Sequence, residues 1–181
     1  DHKLIPDPCP SRELVDKGAR AQQAYVDFMK KHDVRVANMS WGGSVKGYEE
    51  ALELCNIGKT ADERKAIARE YFDIELAAFK KAIASAPDIL FVTSAGNSNS
   101  DATFVEAYPA GVVAPNMISV GAVDKAGDEA SFTSYGPTVA VHANGYQVES
   151  LIPGGETLAE SGTSMSSPQA ANLAAKILAA N

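Results

Sequence analysis

The chain has 181 residues, 45% of them hydrophobic, with a formal net charge of −7. That length supports one sizeable core and one domain. Lysine and arginine are interspersed with aspartate and glutamate, so no basic patch points to nucleic acid, and no apolar run is long enough to cross a bilayer.

Residues 1–11, with Pro6, Pro8 and Pro10, read as an extended lead-in. From Arg12 to Lys31 the apolar set Leu14, Val15, Ala21, Ala24, Tyr25, Phe28 and Met29 recurs at helical spacing. A short strand over Val34 to Met39 ends in Ser40-Trp41-Gly42-Gly43, and a polar, charged segment runs from Ser44 to about Lys59. Thr60 with Glu63 suits a capping box, and helical periodicity continues through Ile67, Tyr71, Ile74, Ala78 and Ile83 until Pro87. Ile89 to Val92 suits a strand covered on both faces and ends in Ser94-Ala95-Gly96-Asn97. Met117 to Val123 is a second buried strand, and Phe132 to Val148 reads as short strands and turns.

The last helix starts near Ser164. Apolar residues occupy nearly every azimuth between Gln169 and Ala180, which predicts a helix surrounded by protein. Pro168 is read as a first-turn residue, where its missing N–H costs little. Strands alternating with helices predict a three-layer α/β/α domain around a mostly parallel sheet. In such sheets ligands bind beyond the carboxyl ends of the strands. The two loops after Met39 and Val92 therefore converge on one rim, where the Ser164 helix start can join them.

A serine at a helix start lies beside unpaired backbone N–H groups and the positive end of the helix dipole, donors that stabilise an anion. Ser161, Thr163 or Ser164 can equally act as a simple cap. Cys9 and Cys55 are the only cysteines. With no His-Cys cluster they argue against zinc, and their pairing stays open between a disulfide and two free thiols.

Several ordered motifs raise the catalytic reading. Gly162-Thr163-Ser164-Met165-Ser166-Ser167-Pro168 resembles the nucleophile motif of the subtilisin-like serine proteases, the subtilases. Asn38-Met39-Ser40-Trp41-Gly42-Gly43 resembles their substrate-binding strand, and Ala95-Gly96-Asn97 the loop with their oxyanion asparagine. Tyr108-Pro109-Ala110 and Ala130 to Pro137 are similar to family segments in the same order. The resemblance runs from Val34 onward with an apparent insertion at 46–71, so residues 12–181 read as the C-terminal part of a peptidase domain lacking its N-terminal strands. Gln169 and Asn172 stand where the family often has histidine and glycine.

The resemblance implies peptide-bond hydrolysis. Ser164 would attack the carbonyl, and Asn97 would bind the oxyanion together with the Ser164 N–H. Ser40, Trp41 and Gly42 would pair with extended substrate, while Ala95 and Gly96 would wall the pocket for the residue before the scissile bond. Taken alone, Asn97 also suits a turn and Trp41 core packing. No organic cofactor is implied. Structural calcium is possible by resemblance, with no distinctive ligand set, and the same resemblance implies an extracellular or periplasmic location.

The family triad also needs aspartate and histidine ahead of serine. The only histidines are His2, His32 and His142, none in the family's motif. The chain is therefore expected to be a portion of a protease, inactive alone. Its partners would be a peptide substrate, a second copy of itself, or the missing N-terminal part, with no nucleic acid and no membrane. The competing reading is a non-catalytic peptide-binding or scaffold domain derived from a subtilase. An α/β-hydrolase is a third, but Ser164 lacks the Gly-x-Ser-x-Gly elbow.

Overall fold

The computed structural model describes residues 8–103 and 106–180. Most of the expected lead-in, and His2 with it, lies outside them. Helix α1 (Arg12–Lys31) starts where the Ser11 hydroxyl accepts the Leu14 N–H. Strand β1 (Val36–Met39) follows, then the two-residue β2 (Gly43–Ser44).

The charged stretch after Ser44, read from sequence as a polar segment, contains a helix, α2 (Val45–Leu54), capped by Ser44. Its buried side is carried by Val45, Tyr48 and Leu52, at helical spacing. Helix α3 (Ala61–Ala84) follows. Thr60 accepts the Glu63 N–H as a capping box requires, but the Glu63 carboxylate takes the Lys59 N–H, one residue earlier than the motif predicts.

The remaining elements are β3 (Leu90–Ser94), β4 (Ala107–Tyr108), β5 (Met117–Val123), β6 (Val139–Asn144), β7 (Val148–Leu151), β8 (Thr157–Glu160) and α4 (Thr163–Ala180). The central sheet is parallel throughout, in the order β1-β3-β5-β6. Its first crossover from β1 runs through α2 and α3 to β3. On one face α1 and α3 bury Val26, Phe72, Phe79 and Ile83 against Ala37, Met39 and Phe91. On the other, α4 crosses all four strands and seats Ala171 on Val92 and Val120. Two layers of helix on one sheet make the three-layer α/β/α architecture.

Two expectations are corrected, and one left open is resolved. Helix α4 is not surrounded by protein: Leu173 and Ile177 are 60% and 54% exposed, because the described residues place sheet beneath the helix and leave its opposite side at the surface. Pro168 lies well inside α4 instead of in its first turn, because the helix already begins at Thr163. Cys9 and Cys55 are joined in a disulfide, which ties the end of α2 to the segment entering α1. Among the described residues strand β1 pairs with β3 alone and so forms one edge of the sheet.

Candidate active site

Parallel strands bring the loops after β1 and β3 to the same rim, and α4 begins there. A cavity of about 640 Å³ opens between them. Ser164 and Asn97 both line it, as do Trp41, Gly42, Ala95 and Gly96. These two residues, 67 apart in sequence, thus line one hollow.

Thr163, fully buried, organises this junction. Its N–H donates to Asn97 Oδ1 at 2.8 Å, and its hydroxyl donates to the same oxygen at 3.0 Å. That hydroxyl in turn accepts the Gly96 N–H at 3.0 Å, at a residue whose φ of +106° suits glycine. A backbone N–H can only donate, so the Asn97 atom facing it is the carbonyl oxygen. The amide NH₂ is therefore left on the other branch, free to act as donor. Asn97 also does for α4 what an N-cap does from within the chain: it satisfies an orphan donor of the first turn. Sequence reading took Thr163 only as a possible cap. Its clamp on two loops was hidden because both partners come from the turn after β3.

Ser40 is held away from the cavity. Its hydroxyl donates to the Ser164 carbonyl at 2.9 Å and accepts from Asn38 Nδ2 at 2.9 Å; Ser167 Oγ lies 3.0 Å away and, by elimination, donates. Any contact of Ser40 with substrate is left to its main chain. Trp41 is 46% exposed and meets Phe79 and Tyr108 edge-on at 6.0 and 5.9 Å, so it both packs and offers surface. Gly42 allows a close approach, since a Cβ there would lie 3.1 Å from the Tyr108 carbonyl oxygen.

The far wall comes from Ala107, Tyr108 and Ala110, and from Lys46, Gly47 and Glu50 of α2. The α2 residues were not expected at the site. Their only signal was position, directly after the Gly42-Gly43 turn. His32 stacks on Phe28 at 4.3 Å, and His142 lies in β6 with Glu129 at 3.5 Å; neither lines the cavity. Among the described residues no group of three or more His, Cys, Asp or Glu could hold a metal ion. No helix among them is long and apolar enough to cross a membrane.

The family model described as "Subtilase family" matches residues 12–181. "Subtilisin" of Bacillus pumilus is 42% identical over 99 residues, which cover 54% of this chain and 34% of that protein. "Subtilisin-like protease 6" of Trichophyton soudanense is 34% identical over 144 residues, covering 75% of this chain and 34% of that protein. Among solved structures, a cold adapted subtilisin-like serine proteinase superposes with a TM-score of 0.63 at 29% identity, covering 90% of this chain and 49% of the other. The chain thus spans about a third of the length of these two curated relatives.

Proposed function

The chain belongs to the subtilase family, and from that premise we propose that it carries the nucleophile and oxyanion half of a serine endopeptidase site. The observation that supports this most directly is that Ser164 and Asn97 share one cavity while Thr163 fixes the Asn97 carbonyl. A substrate carbonyl placed between them would be attacked by Ser164 Oγ. The developing oxyanion would take hydrogen bonds from Asn97 Nδ2 and the Ser164 N–H. Extended peptide would pair with the main chain of Ser40 to Gly42, and its side chain before the scissile bond would enter between Ala95-Gly96 and Tyr108.

Neither His32 nor His142 lines this cavity. A serine hydroxyl without a histidine base stays protonated at neutral pH; no described histidine lines the cavity, so the chain alone would be inactive and would need an aspartate and a histidine brought to Ser164. The uncovered edge of β1 and the outer side of α4 are where such a part would dock. The disulfide between Cys9 and Cys55 supports an oxidising compartment, in line with an extracellular or periplasmic protease.

The test is reconstitution. The chain combined with a polypeptide bearing the aspartate and histidine strands should hydrolyse peptides and be labelled at Ser164 by a fluorophosphonate, whereas the chain alone should label hardly at all. Ser164→Ala should abolish both. Asn97→Ala should lower turnover by the loss subtilisin itself shows on losing its oxyanion asparagine, about 100- to 1000-fold. Peptide binding without hydrolysis in the complete protein would instead favour a non-catalytic peptide-binding module, the reading suggested by the missing histidine.

A further inference from the structure

Two walls of the Ser164 cavity are held by one carboxylate that does not itself line it. Glu75, on α3, accepts the Tyr48 hydroxyl at 2.6 Å and the Tyr108 hydroxyl at 2.5 Å, both on Oε2. Tyr108 lines the cavity and packs edge-on against Trp41 and Phe72. Tyr48 belongs to α2, whose Lys46, Gly47 and Glu50 line the same cavity. The other Glu75 oxygen lies close to Gly18, where a Cβ would stand 2.8 Å from Oε1.

A second cavity, of about 740 Å³, lies behind the first. Trp41, Gly42, Gly43, Ser44, Gly47 and Tyr108 line both, whereas Glu75 and Tyr48 line only the second. The segment from Trp41 to Ser44 is therefore a partition between two spaces, and the Glu75 node braces it from behind. Burial first, and the Glu75 carboxylate second, push both phenols above the usual tyrosine range, so both remain donors through neutral pH.

We propose that Glu75 is a positioning residue for substrate selectivity: by gathering Tyr48 of α2 and Tyr108 of β4 on one oxygen, it sets the width of the cavity that receives the side chain before the scissile bond. This rests on the protease reading and adds to it a residue remote from Ser164 and Asn97. Hydrogen bonds to an ionised acceptor are short and directional, so two of them on one oxygen fix both rings. Without the carboxylate each phenol loses its acceptor, and the space behind the partition lets the Tyr108 ring move.

Two readouts test this. The first uses the chain as it stands. Trp41 is its only tryptophan and lines both cavities, so its fluorescence reports the partition. Glu75→Leu should increase quenching by acrylamide, and Glu75→Gln, which keeps a carbonyl acceptor, should restore most of the native protection. The second uses the reconstituted protease with peptides differing only in alanine or phenylalanine before the scissile bond. Glu75→Leu should change the Phe/Ala ratio of kcat/KM about tenfold, the ratio that one misplaced hydrogen bond is worth, through KM with kcat retained. Glu75→Gln should recover it.

An unchanged ratio, or a loss uniform across both substrates, would overturn the proposal and leave Glu75 a structural anchor. If the unmutated reconstituted protein cleaves nothing, the protease reading fails. Trp41 quenching then judges the node alone, and identical quenching in all variants overturns it. Should Glu75→Leu not fold, Tyr48→Phe removes one donor and carries the same comparison.

Discussion

At the scale of single residues, Ser40 and Pro168 answer one another. In an α-helix the carbonyl of Ser164 would accept the N–H of residue 168, but proline has none. The Ser40 hydroxyl supplies the replacement donor at 2.9 Å, from a loop 124 residues earlier. Ser40→Ala should therefore cost about 1–3 kcal/mol by leaving that acceptor unpaired. Pro168→Ala would return the helical N–H, so the double variant should lose less than the sum of the two single changes. A urea-denaturation double-mutant cycle measures this, and strict additivity would show that the two residues do not share the carbonyl. Ser164 and Asn97 were legible as candidates because their local motifs are short and contiguous. The Ser40 and Thr163 bridges were not, because a hydroxyl's partner is decided only when distant loops meet.

Among the helices, α2 is the one that sequence reading missed. Its apolar residues Val45, Tyr48 and Leu52 have helical spacing, but Gly43 and Gly47 at its start and the charged residues between obscured a stretch of only ten residues. What keeps so short a helix in place is tertiary: the Tyr48 bond to Glu75 and the disulfide from Cys55 to Cys9. That bridge spans 46 residues, so in the chain-entropy model it contributes up to about 4 kcal/mol. Cys9→Ser/Cys55→Ser should lower Tm accordingly, with amide exchange accelerated in α2 before α3. Equal acceleration throughout would mean that the tether is not specific to α2. The tyrosines add a pH dependence. Unfolded tyrosine loses its proton near pH 10, while Tyr48 and Tyr108 hold theirs to higher pH when folded, chiefly through burial. Above about pH 10 the folded state thus binds more protons than the unfolded one. The stability from these two groups is fully present below that pH and falls as pH rises through it. Tyr108→Phe should flatten this alkaline decline in urea titrations, and a slope equal to that of the unmutated chain would contradict the assignment.

At the scale of the whole molecule, the parallel pairing of β1 and β3 was readable because a helical segment separates two short strands, each followed by small polar residues and glycine. The degree of covering was not, since an all-apolar helix pattern says that a helix prefers burial without saying which chain buries it. Here α4 meets the sheet on one side and presents Leu173 outward on the other, with Ile177 half-exposed on its flank. Strand β1 meanwhile leaves a row of backbone groups at the sheet edge. Apolar patches and open strand edges both favour association. The chain alone should therefore self-associate as its concentration rises in sedimentation velocity, and a polypeptide bearing the aspartate and histidine strands should compete with that association. Leu173→Glu with Ile177→Glu charges the outer face without touching Ala171, which seats the helix on the sheet. That pair should give a monomer with unchanged far-UV circular dichroism, and should also weaken activation by the complementing polypeptide, because both partners would use the same face. A chain that stays monomeric at the highest attainable concentration would remove the case for self-association, and complementation unaffected by the two charges would place the docking surface elsewhere.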